Sequence, residues 1–319
     1  MSAFDRAKRG PWARTVEAVA PFVTWTAVSL LVAVCFSTIG YLMWQGLPAL
    51  NWDFVKTDPI PSLTESLTGG VRSPIGGTIF LLVIGTALVI LPALGTATYL
   101  AEYMPDDSWL TKIVRFGLEM LAGVPSVVFG MWGLAFFALP VFTFLSGPAA
   151  DPRRAYGRSF LVGAVVLTIH ILPFVIKVME EAIRSVPSGY RQAAAALGMP
   201  KWAMTRKIIL PAAAPGIMTA IILGMGIIAG DTAIVKLCVG DSMVMTGAEQ
   251  WWLPAHWLAA LRGSGSTLTT FTFYSSAAGE GNAPTKAFGA AFLLIGIVLI
   301  LQVLIEWLMR RRKAASGAA

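Results

Sequence analysis

Six apolar stretches divide this chain, at about 22–46, 75–101, 116–145, 159–178, 214–238 and 287–309. A bilayer crossing needs roughly 20 mostly apolar residues in a helix, and each stretch supplies about that length or more. Hydrocarbon offers no hydrogen-bond partners, so backbone placed there must satisfy itself; a helix does this within one segment. The expected fold is therefore all-α, a polytopic membrane protein with six transmembrane helices embedded in lipid. Composition agrees: 56% of the 319 residues are hydrophobic and 13% are charged, against about 25% charged in soluble domains. The first stretch is longer than the 7–15-residue core of a cleaved signal peptide, so it reads as a retained helix.

The net charge of +7 first suggests an anionic polymer as partner, but the positions of the charges argue for topology. Arg6, Lys8, Arg9 and Arg14 precede the first span, and Arg310 to Lys313 follow the last. With both termini on one side, 16 of the 24 Lys and Arg fall on that side. The positive-inside rule makes it cytoplasmic, places the chain in the cell (inner) membrane, and leaves no nucleic-acid role. The chain then divides into an N-terminal tail (1–21), a first helix with outer loop (22–74), a core (75–240) containing a polar region at 179–212, an outer loop (241–286), and a last helix with basic tail (287–319). The loop segment 248–261, with Trp251, Trp252 and Trp257, is expected to lie as a short interfacial helix. The Gly-, Ser- and Thr-rich 262–282 is expected to be mobile.

The polar region holds the most informative stretch, RQAAAALGMPKWAMTRKIILP at 191–211. Pro187 and Ser188 signal a helix start. Gly198 is a natural stop, Pro200 suits the opening of a second helix, and Pro211 is expected to end it. Tyr190, Ala194 and Leu197 fall on one stripe. The alanines between keep the helix thin enough to seat in another protein's groove. The spacing resembles the cytoplasmic coupling motif of ABC importer permeases, E-A-A-x3-G-x9-I-x-L-P, carried here by Gln192, Ala193, Ala194, Gly198, Ile208, Leu210 and Pro211. The one departure in that register is Gln192, where the family has Glu.

Further segments sharpen the resemblance. RFGLEMLAGVPSVVFGMWGL (115–134), MEEAIRSVP (179–187) and AGDTA (229–233) are similar to segments of the PstA-type permease subunit of the phosphate ABC importer, over roughly 75–240. The resemblance implies the type I ABC importer permease fold, with a coupling-helix hairpin. It implies a PstC-type permease partner, a dimeric ATPase subunit and an extracytoplasmic phosphate-binding protein. Where the family carries Arg before G-E-T, this chain has Ile227 and Ile228; the family Glu is Asp231. Another oxyanion (sulfate, molybdate or tungstate) or a different small solute therefore stays open as the cargo.

Within the spans, Gly123-Val124-Pro125-Ser126 should break a helix, because proline removes a helical hydrogen bond and clashes with the preceding turn. A second half starting near Pro125 would present free amides and a partial positive charge to an anion, as broken helices do in transporters. Ionisable groups inside a span are costly and functional by default. Asp231, with Thr232 beside it and Lys236 five residues on, and Glu119, one turn from Arg115, are the candidates for gating or the substrate path. His170 reads as a neutral packing or pore-lining residue.

Other function classes fit poorly. With two histidines and two separated cysteines, Cys35 and Cys238, no metal-ligand spacing exists. The scattered acids offer no converging acid, base and nucleophile, and a passive channel needs no ATPase docking surface. No G-x-x-x-x-G-K-[ST] loop is present, so the chain is expected to bind no cofactor, with ATP and Mg on a partner ATPase.

Overall fold

The structure, a computed structural model, describes residues 11–60, 69–105, 107–146, 157–240, 242, 245–246, 252–277, 279 and 283–315, and among them holds helices and no strand. The long helices are α1 (Pro11–Gly46), α3 (Arg72–Thr98), α6 (Phe160–Arg184), α9 (Leu210–Gly230) and α12 (Pro284–Ala315). Shorter ones are α2 (Trp52–Lys56), α4 (Trp109–Ala122), α5 (Ser126–Phe137), α7 (Ser188–Ala196), α8 (Lys201–Met204), α10 (Trp257–Arg262) and α11 (Leu268–Ser275). Among the described residues, five helical stretches are long and apolar enough to cross a membrane, and α4 with α5 adds a sixth if the pair counts as one span.

The core is the packing of α3 and α9 against α6. Leu81, Leu82, Val89, Val162, Val166, Leu167, Val175 and Ile176 are all buried there. Glycines set the approach between helices. Gly224 comes up to Val175, Gly216 to Ala182, and Gly85 to Ile228. Helix α1 lies along α12, where Gly46 meets the Phe288 backbone and Tyr41 meets the Phe288 ring at 5.6 Å. Most of α1 is otherwise exposed and apolar, as a lipid-facing helix must be.

Three sequence expectations are corrected. The third apolar stretch is not one interrupted rod; α4 and α5 meet at 98°. The residues after α5 turn through Pro140–Phe142 rather than continuing the span. Pro211 does not end a helix, because Lys201–Gly230 runs as one helical stretch. A wide π turn at Thr205–Ile209 precedes the proline, and Leu210 N–H reaches back to the Thr205 carbonyl. The extra residue in such a turn relieves the clash a proline ring makes with the turn before it. Finally, 262–282 contains a capped helix with one face buried. Thr267 and Thr270 form a reciprocal cap at the start of α11, and Leu268 and Phe271 pack with Phe54, Val71 and Ala290.

Candidate coupling hairpin and broken-helix site

The hairpin α7–α8 is built as its prolines and glycine dictate. Gly198 adopts φ +68°, the left-handed conformation. Its N–H bonds the Ala195 carbonyl at 3.0 Å and Met199 N–H bonds the Ala194 carbonyl at 3.1 Å. That pair of bonds satisfies the last carbonyls of α7 and turns the chain sharply. Pro187 and Pro200 stand just ahead of α7 and α8. Ser188 makes no cap, contrary to the start signal read from it. The Tyr190–Ala194–Leu197 stripe also divides. Ala194 is buried, whereas Tyr190 is 53% and Leu197 81% exposed, and Trp202 of α8 is 63% exposed. Gln192 and Ala193 are exposed, and Ile208 and Leu210 are half-buried on either side of the buried Ile209.

The hairpin is tied to the span ends by ion pairs that local spacing does not reveal. Arg191 donates to Glu102 at 2.6 Å and to the carbonyls of Ile183 and Val186. Glu102 sits in the π turn Tyr99–Tyr103 that closes α3, and its side chain is 5% exposed. Glu180 accepts from both Arg115 at 2.7 Å and Arg184 at 2.9 Å, and Arg184 also donates to the Leu100 carbonyl. Arg115, one turn from Glu119, reaches across to α6, and Glu119 pairs with Lys177 of α6 at 3.5 Å. Glu180 is nearly buried whereas Glu119 is largely exposed, so the pair with Glu180 is the less screened by water. Sequence reasoning missed Glu102, Glu180 and Arg191; the available signal was their rarity in so apolar a chain.

The two broken segments lie side by side. Gly123 closes α4 in a helical conformation, and Pro125, extended, opens α5 with no side-chain cap. Gly123 and Pro125 are exposed and Ser126 is half-buried. The fifth stretch also breaks: α9 ends at Gly230, Asp231 and Thr232 leave the helix, and the chain resumes through the π turn Val235–Val239. Asp231 is thus not mid-helix. Its Oδ1 accepts the Ile234 N–H at 2.7 Å, capping the resumed turn. It does not pair with Lys236, whose ammonium lies 4.8 Å from the Phe273 ring centre. A Cβ on Gly130 would stand 2.8 Å from Leu237 and 3.3 Å from Ala233, and one on Gly133 would stand 3.0 Å from Cys238. The contacts advance in step, so α5 and the resumed segment run parallel and both breaks lie at one end of the contact. One of these helix starts already holds a carboxylate, whereas the other presents open amides. His170 is half-buried against Phe129 at 5.1 Å, with Nδ1 buried and without a hydrogen-bond partner among the described residues.

The chain is 31% identical to the phosphate transport system permease protein PstA 2 of Mycobacterium tuberculosis over 310 residues, covering 94% of this chain and 88% of that one. It is 26% identical to the phosphate transport system permease protein PstC of Mesorhizobium japonicum, covering 92% and 90%. It is 29% identical to the probable ABC transporter permease protein YqgI of Bacillus subtilis, covering 70% of each. Among solved structures, a bacterial ABC transporter involved in the import of the acidic polysaccharide alginate matches with a TM-score of 0.60 at 14% identity, covering 95% of this chain and 99% of that one. At that identity the likeness concerns the fold alone. Residues 93–314 match the family model described as the binding-protein-dependent transport system inner membrane component, and the chain belongs to that family of ABC importer permeases.

Proposed function

We propose that this chain is the PstA-like half of a phosphate importer's membrane path. In this reading it pairs with a PstC-type permease chain, both termini are cytoplasmic, and the 187–211 hairpin seats in a dimeric ATPase that holds ATP and Mg. An extracytoplasmic binding protein delivers inorganic phosphate. The observation that carries the reading is the near full-length similarity to a relative named a PstA phosphate permease. The hairpin supports it. Leu197, Tyr190 and Trp202 are all exposed apolar side chains on a tightly turned support, and exposed apolar surface suits a protein interaction site.

The chain supplies positioning and no covalent chemistry. Closure of the ATPase dimer would push the hairpin, and the Arg191–Glu102 and Glu180 bridges would pass that movement to α3, α4 and α6. The open amides at the start of α5 would line the anion's path, worth roughly 0.3–2 kcal/mol as a helix-end interaction. Asp231, already serving as a cap, would shape the gate rather than hold the anion. Another oxyanion as cargo is favoured by one feature: Ile227 and Ile228 leave apolar the place where phosphate permeases resemble one another in carrying Arg.

The test is phosphate uptake in cells lacking their own phosphate importer, with this chain and its partner subunits co-expressed. Wild type should restore ATP-dependent uptake and Gly198→Pro should abolish it. Uptake of sulfate or molybdate in place of phosphate would overturn the cargo; uptake surviving Gly198→Pro would overturn the coupling role.

A further inference from the structure

The segment that resumes after the Asp231–Thr232 break carries one cation with an unusual setting. Ile234, Val235, Cys238 and Val239 are all fully buried. Lys236 alone on this turn is exposed. Its ammonium rests 4.8 Å from the centre of the Phe273 ring, on α11. A ring face attracts a cation but does not neutralise it. Among the described residues Lys236 makes no ion pair, and the nearest acid in sequence, Asp231, is committed to the Ile234 amide. An ammonium has three donors, and the ring covers one side. A cation in such apolar surroundings must face water or an anion. The same segment begins beside the open start of α5, so Lys236 stands one turn beyond the two breaks.

We propose that Lys236 is the cation that receives the transported oxyanion at the end of the path remote from the hairpin, with Phe273 steadying its ammonium. The charge is then supplied from the C-terminal side of the break, where Ile227 and Ile228 supply none on the N-terminal side. The inference rests on the oxyanion reading of the cargo.

The test uses the assembled complex in proteoliposomes, with uptake measured over a range of phosphate, sulfate and molybdate concentrations. Lys236→Gln should raise the half-saturating anion concentration tenfold or more, the size expected for losing a charged hydrogen bond. Lys236→Arg should stay within a few-fold of wild type. A Lys236→Cys variant in a Cys35→Ser background adds a charge-specific readout. Its thiolate displaces methanesulfinate from 2-aminoethyl methanethiosulfonate, leaving a disulfide-linked ammonium arm, which should restore uptake. The neutral methyl reagent should not. Cys238 is fully buried and should not react. Equal rescue by both reagents, or unchanged half-saturation in Lys236→Gln, would overturn the proposal. So would failure of the partner permease to co-purify with Lys236→Gln, which would assign the charge to the subunit contact. If wild type carries sulfate or molybdate but not phosphate, the cargo assignment fails while Lys236 is judged on that anion. If it carries no oxyanion, both fall.

Discussion

Arg191 and Glu102, 89 positions apart, join the hairpin to the end of α3 through bonds of 2.6 and 3.1 Å from two guanidinium nitrogens. The Glu102 side chain is 5% exposed and that of Arg191 26%. Removing one member of such a pair strands a buried charge, which costs about 3–5 kcal/mol, whereas removing both costs much less. Arg191→Gln should therefore lower the melting temperature of the purified complex more than the Glu102→Gln, Arg191→Gln double variant does. A double-mutant cycle giving no coupling between them would remove the structural role of the pair.

Leu197 makes a complementary prediction. It is 81% exposed at the end of α7, so Leu197→Asp should leave thermal stability within about 0.5 kcal/mol of wild type. ATPase binding should nevertheless fall, since a charge would face an apolar groove. Co-purification of the ATPase subunit measures this; undiminished recovery would place the docking surface elsewhere.

Asp231 separates cap from charge. Asp231→Asn keeps an oxygen for the Ile234 amide, so stability should hardly move. Asp231→Ala loses the cap and should cost about 0.5–2 kcal/mol. If the carboxylate charge serves gating, Asp231→Asn should alter uptake without altering the melting temperature. Identical uptake in Asp231→Asn and wild type would leave capping as its role.

Gly133 holds α5 close to its neighbours. A side chain there would meet Val166 at 2.5 Å and Cys238 at 3.0 Å, so Gly133→Val should cost about 1–3 kcal/mol by overpacking. It should also expose the Cys238 thiol. In native protein a maleimide should spare the buried Cys238, and in Gly133→Val it should label it. Protection of Cys238 in the variant would show that α5 relaxes without separating.

Spans and hairpin were legible in the sequence because their determinants are local. Apolar length marks a crossing, and Pro187, Gly198 and Pro200 punctuate α7 and α8 within a few residues of where they act. The break at Gly123–Pro125 was equally visible. Its 98° angle was not, because a proline dictates that a rod ends and tertiary packing decides where the next one points. Pro211 misled for a related reason: a wide turn placed just before it makes room for the proline ring, so the helix carries on. Thr267 and Thr270 were hidden in a stretch that reads as linker, although together they start a helix. The ion pairs were the least legible part. Arg115 reaches Glu180, 65 positions away and on another helix, a partner that no local spacing points to.

The near right angle between α4 and α5 has a mechanical consequence. Two rods joined at such a corner act as a bell crank, turning a thrust along one arm into a sweep of the other. Arg115 and Glu119 pin the α4 arm to α6 beside the hairpin, and Gly130 and Gly133 press the α5 arm on the segment beyond Asp231. A small axial stroke of α4 would therefore arrive at the broken helix starts as sideways travel.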